Sequence, residues 1–202
     1  MANVDKAFGL NPYKGNSAGS SVQIVNTYLI NPSGYGTSIY QGDITIFASG
    51  GDITIFASGY INTAAASSAN IVGAFSHCYY VATDGTPTFK NYYPASTTAL
   101  GSGAIEAYIY DDPNQLFIVQ ADGASAQTCI GRNADTDGIG GSTTTGVATR
   151  ELDSSTINTT AALQLKIVSV VQDDVNGDLT ANNANLIVLI NEHYMRGAVA
   201  GT

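Results

Sequence analysis

Apolar residues in this chain recur at every second position rather than at helical spacing, and that period constrains the fold more than any other feature. The run Val22-Gln23-Ile24-Val25-Asn26-Thr27-Tyr28-Leu29-Ile30 reads as a strand closed by the turn signal Asn31-Pro32-Ser33-Gly34. Further strands are predicted over 71–75, 78–83, 105–110, 116–120, 162–172 and 186–193. Their turns are explicit: Asp84-Gly85, Asp111-Asp112-Pro113-Asn114, Asp122-Gly123 and Asn176-Gly177. The one patch with helical character, 62–69, ends in serines that suit a loop equally well. Many short strands without an amphipathic helix define an all-β chain, expected as a compact antiparallel β-barrel or β-tulip-like domain over 21–202.

A repeat interrupts this pattern. Residues 42–50 read GDITIFASG, and residues 51–59 repeat those nine without a change. Nine is odd, so one continuous strand would send the two copies to opposite faces of a sheet. A protruding hairpin over 42–59, turning at Gly50-Gly51, removes the conflict because both glycines tolerate positive φ. It would set Ile44 opposite Ala57, Ile46 opposite Ile55 and Ala48 opposite Ile53, making one face wholly apolar. A duplication looped out with little consequence and an error in the recorded sequence are the other two readings. A long ribbon of this kind has edges that a neighbour would need to cover.

Residues 1–20 differ in kind. The run Asn11-Pro12-Tyr13-Lys14-Gly15-Asn16-Ser17-Ala18-Gly19-Ser20 is rich in breakers and is not expected to hold a regular element. Phe8, Leu10, Pro12 and Tyr13 nevertheless give it anchors. An extended arm that docks those side chains on another protein fits better than a solvated tail.

Charge narrows the function classes. Seven Lys and Arg stand against 16 Asp and Glu, for a net charge of −9. Phosphate contacts need a dense basic footprint, so no nucleic-acid partner is expected. No apolar window reaches the length of a membrane span, and no apolar run follows Asp5 and Lys6 as a signal peptide would require. The two cysteines, Cys78 and Cys129, read as reduced, buried thiols of a protein made in a cytoplasm.

Signals for chemistry are sparse, and no catalytic, cofactor or metal residue is assigned. His77 is next to Cys78, but strand neighbours point to opposite faces, and His193 ends an apolar strand. Gly138-Ile139-Gly140-Gly141 lacks the lysine of a phosphate loop. Asn133, Asp135, Asp137 and Gly138 match the start of a calcium loop, but Thr144 stands where the closing glutamate belongs. Asp174, Asn176 and Asp178 match likewise, with Asn185 in the closing position. The pairs Asp111-Asp112 and Asp173-Asp174 read as solvated turn residues. Twelve Tyr and six Phe, with no Trp, form clusters such as Cys78-Tyr79-Tyr80 and Asn91-Tyr92-Tyr93-Pro94, suited to broad contacts with little desolvation.

Several stretches, in one order, resemble a known family. The opening Met1-Ala2-Asn3 with Asp5-Lys6-Ala7-Phe8-Gly9-Leu10 is one. Asp111-Asp112-Pro113, Phe117 and Gln120 form the second, followed by Gly141-Ser142-Thr143-Thr144-Thr145-Gly146, Glu151-Leu152-Asp153-Ser154-Ser155 and Asn191-Glu192-His193. Together they resemble the tailed-phage head decoration (cement) proteins. Asn11 stands where that family carries an arginine, and the family has a single copy of the segment doubled here. The resemblance implies a non-enzymatic structural protein on the outer surface of a virion, made in the bacterial host cytoplasm. It would bind the major capsid protein, as a homotrimer with a dimer as the alternative, and lock the expanded head. A receptor- or glycan-binding virion protein is the second expectation.

Overall fold

The computed structural model describes residues 2–15, 23–32, 34–48 and 59–202. The all-β expectation holds: strands, turns and three one-turn 3₁₀ segments make up the described chain. One antiparallel sheet runs β1 (Asn11–Gly15), β10 (Gln115–Gln120), β13 (Asn185–Ile190), β12 (Leu165–Val170), β11 (Asn133–Ala134). A second runs β2 (Asn26–Ile30), β9 (Ile105–Tyr110), β6 (Ile71–Val81), β4 (Ile44–Phe47), β5 (Ile61–Thr63), with β7 (Pro87–Lys90) added to the far half of β6. A parallel bridge between Leu29 and Tyr60 brings the two ends of this sheet together. β3 (Ile39–Tyr40) pairs with β8 (Tyr92–Tyr93), where Tyr40 stacks on Tyr92.

Two apolar clusters form around these sheets. The first joins Phe117, Val119, Leu165, Ile167, Leu186 and Val188 of the first sheet to Ile44, Ile71 and Ala74 of the second. The other holds Ile30, Ile39, Ile61, Phe75, Tyr93, Ile105 and Ile109. The opening half of β6 lies between them and is buried on both faces, which is why its residues read as an unbroken apolar run. It continues through His77 and Cys78, with a register shift against β9 between Phe75 and His77, so the two predicted strands are one strand of 11 residues.

Several boundaries move. Within the described part of the first predicted strand, residues 23–25 are irregular and Asn26–Ile30 is the strand. The late pair shortens to Leu165–Val170 and Asn185–Ile190, and residues 64–70 form irregular chain with turns and bends. Ser67 and Asn70 take φ of 55°, which breaks any helix there. Asp111 is not a solvated turn residue. It is buried, and its carboxylate accepts the Tyr28 hydroxyl at 2.6 Å and both contacts of the Asn26 amide at 2.9 and 3.0 Å. Cys78 and Cys129 are buried and unpaired, one in each cluster.

The repeat is corrected. Gly50 and Gly51 lie outside the described residues, but the strand of the first copy does not. Ile46 pairs with Asn62 and Phe47 with Ile61, not with the second copy. The opposite edge of β4 is taken by β6 through Ile44↔Ala74 and Thr45↔Gly73. With both edges occupied, the strand of the first copy is an interior strand whose described partners are β5 and β6; Ile53, Ile55 and Ala57, the predicted partners, lie outside the described residues.

Candidate functional site

Three of the segments that carry the resemblance, the opening, the one around Gln120 and the one around Leu152, lie far apart in sequence and meet in the fold. Lys6 N–H donates to Gln120 Oε1 at 2.7 Å, and Gln120 Nε2 returns a bond to the Val4 carbonyl at 3.0 Å. Leu152 N–H donates to the Gln120 carbonyl at 2.8 Å, and Gly9 N–H donates to the Arg150 carbonyl at 3.1 Å. Asn11 and Pro12 then pair with Ile118 and Phe117 as β1 joins the sheet edge. The residues before the strand are tied at the far end too: Asn3 Nδ2 donates to the carbonyls of Asp178 and Asn182 at 2.8 Å.

This placement changes the reading of the arm. Residues 11–15 do hold a regular element, because β10 offers an open edge and an extended, proline-containing segment suits an edge position. Leu10 is buried in the protein's own core and is not available to a partner. Phe8 and Pro12 are half-buried and line a cleft of about 360 Å³ with Gln23, Gln41, Phe75 and Tyr110. Tyr13 alone of the four anchors is exposed, at 44%.

The chain crosses itself where the arm enters. Gly9 has φ of 69° and Gly42 of 90°, and Leu10 N–H donates to the Gly42 carbonyl at 2.8 Å. A Cβ on Gly9 would stand 2.5 Å from the Gly42 carbonyl oxygen, and one on Gly42 would stand 2.6 Å from the Phe8 oxygen. Both positions therefore require glycine on conformational and steric grounds.

Beneath this crossing is Arg150, the largest fully buried side chain among the described residues. Its guanidinium donates to the Ala64 carbonyl at 2.6 Å and Thr136 Oγ1 at 2.9 Å, and its Nε faces Asp43 Oδ1 at 3.5 Å. Asp43 Oδ2 accepts the Tyr40 N–H at 2.8 Å. Burial pushes the Asp43 carboxyl up to about 6, against the pull of the Tyr40 N–H and of Arg150. Thr136 passes the network on to Gln164 Oε1 at 2.7 Å. Sequence reading misses Arg150. The available signal is scarcity: one of only seven basic residues, placed directly before Glu151-Leu152-Asp153.

Glu151 faces several carboxylates. Burial first, then Asp137, Asp5 and Asp122, pushes its carboxyl up to about 7. A raised folded-state value means that its stability contribution is complete below the unfolded value and is lost as pH climbs towards 7. Glu151→Gln should therefore raise stability by about 1 kcal/mol at pH 8, allowing for solvent screening, and leave it unchanged at pH 4. Urea titrations at the two pH values check this.

The remaining sequence signals fall into structural roles. Asp135 accepts the Gln164 N–H at 3.1 Å and Asp137 accepts the Glu151 N–H at 2.7 Å. Asn176 Nδ2 donates to the carbonyls of Val4 and Asn183 at 2.8 and 2.6 Å. Among the described residues, no three His, Cys, Asp or Glu side chains converge as a metal site would need. His77 faces outward on β6 while Cys78 faces the core, its thiol pushed up to about 12 by burial. Compared with protein-family models, with curated proteins and with solved structures, the chain matches none.

Proposed function

We propose that this chain is a structural virion protein that binds the outer surface of a tailed-phage capsid and cements major capsid protein subunits, acting as a homotrimer. The observation that supports this most is the convergence of three of the resembling segments. Residues 3–12, 117–120 and 150–152 form one hydrogen-bonded unit whose product is a fixed strand at a sheet edge, with Tyr13 displayed beside it. These residues build a mounting rather than a reaction centre. An acidic surface suits the exterior, away from packaged DNA. Proteins that bind only an assembled lattice stabilise it by mass action.

The test is co-sedimentation of purified protein with expanded, undecorated heads, with the copy number per hexamer counted. Removing residues 1–14 is a poor probe, because it would strip Leu10 from the core. Tyr13→Ala is the better one. It should weaken binding about ten-fold, as for an aromatic anchor at an interface, and leave the melting temperature unaltered. Wild-type protein that fails to sediment with heads would end this reading.

A further inference from the structure

The outer face of the second sheet carries an aromatic cluster that neither the arm nor the core uses. Along β9, Ile105, Ala107 and Ile109 are buried while Glu106 and Tyr108 face outward. Cys78 and Tyr80 of β6 likewise point inward and His77 and Tyr79 outward. Register places Tyr79 beside Glu106 and His77 beside Tyr108. Phe89 of β7 stands over them with 64% of its surface exposed. The His77 ring lies 4.3 Å from Tyr108 and 4.6 Å from Phe89, and Tyr79 is 6.3 Å from Phe89. Tyr108 donates its hydroxyl to Glu106 Oε2 at 2.9 Å, which fixes the carboxylate at the edge of the rings.

We propose that this face receives an arginine side chain presented by a partner protein. The rings offer negative π-faces, and a planar guanidinium can stack on them while pairing with the carboxylate held by Tyr108. Among the described residues no Lys or Arg forms an ion pair with Glu106: Lys90, beside Phe89 in sequence, alternates to the other side, 5.3 Å over the Tyr92 ring. The net charge of −9 attracts a cation from further out. A second copy meeting this face about a two-fold axis would set Glu106 against Glu106, and a neutral ligand would leave the carboxylate without a counter-charge. This inference concerns the chemistry of a contact and stands whether or not the partner is a capsid.

The experiment titrates acetyl-Ala-Arg-Ala-amide into the full chain and follows the ring resonances of His77, Phe89 and Tyr108 by NMR. Saturable shifts should appear with the arginine peptide, weaken with its lysine counterpart and vanish with the citrulline one, which keeps the shape and loses the charge. Glu106→Gln, which still accepts from Tyr108, should lower the affinity about five-fold, and Phe89→Ala about three-fold, without change in melting temperature. Equal shifts with citrulline, shifts produced instead by methyl glucoside, shifts driven by protein concentration alone, or no shifts at all would each overturn the proposal.

Discussion

Arg150→Met should destabilise the protein by about 3–5 kcal/mol, since removing one partner leaves a buried carboxylate uncompensated. Against the roughly 5–15 kcal/mol that a folded domain holds, this loss is large. Four groups lose their donor together: Asp43, the Ala64 carbonyl, Thr136 Oγ1 and the Asp137 carbonyl, the last at 3.4 Å. They belong to the entry of β4, the exit of β5 and the loop after β11, so their release loosens the crossing at Gly9 and Gly42. The loss should depend on pH in a definite sense. Asp43 already titrates at about 6 because burial outweighs its partners, and without Arg150 it titrates higher. A raised carboxyl contributes stability that is present at low pH and lost as pH rises, so the variant should suffer less at pH 5 than at pH 8. An asparagine in place of Asp43 has no charge to strand, and its amide oxygen can still accept from Tyr40. Asp43→Asn combined with Arg150→Met should therefore recover about 2 kcal/mol at pH 8, measured as the coupling of a double-mutant cycle in urea.

That buried ion pair also shows where sequence reading reaches its limit. The all-β class and most strand positions follow from local alternation and turn residues. β9 falls at 105–110 as predicted because its residues alternate cleanly between core and solvent. Alternation says nothing about which strands are neighbours. The docking of Asn11–Gly15 on β10 depends on an edge about a hundred residues away in sequence, and the breakers in that segment give no hint of a strand. Leu10 reads as an anchor for a partner because a lone apolar residue in a polar segment marks burial without saying in which molecule. Asp111 reads as solvated because its turn context is local, while Asn26 and Tyr28 reach it across the sheet. Arg150 leaves no periodic trace. Of the proposed binding surfaces, Phe8, Leu10, Pro12 and Tyr13 are legible as a group, but only the structure separates Tyr13 from the rest. The outward cluster of His77, Phe89 and Tyr108 spans three strands and needs their register to be seen.

Deleting residues 51–59 should leave the fold intact and stabilise it by about 1.5 kcal/mol, an effect of loop closure. Ala48 N–H donates to the Tyr60 carbonyl at 2.8 Å, continuing the ladder that pairs Phe47 with Ile61. Residues 49–59 therefore connect two strand ends that are already in register. Removing the second copy leaves Ser49-Gly50 between Ala48 and Tyr60, a two-residue hairpin loop with glycine in the second position. Deleting 42–50 instead yields the same chain, because the copies are identical. One copy also satisfies every described partner of that sequence: one Gly9 to cross Gly42, one Arg150 to face Asp43, one β6 to pair with Ile44. The gain arises because shortening the connection from about 11 residues to two removes about 1.5 kcal/mol of ordering entropy. In a domain of this size that corresponds to a rise of roughly 3–6 °C in melting temperature. Thermal unfolding of the shortened chain measures it. An unfolded or destabilised product would mean that the second copy supports the sheet, and that the doubled segment is part of the fold rather than an insertion into a turn.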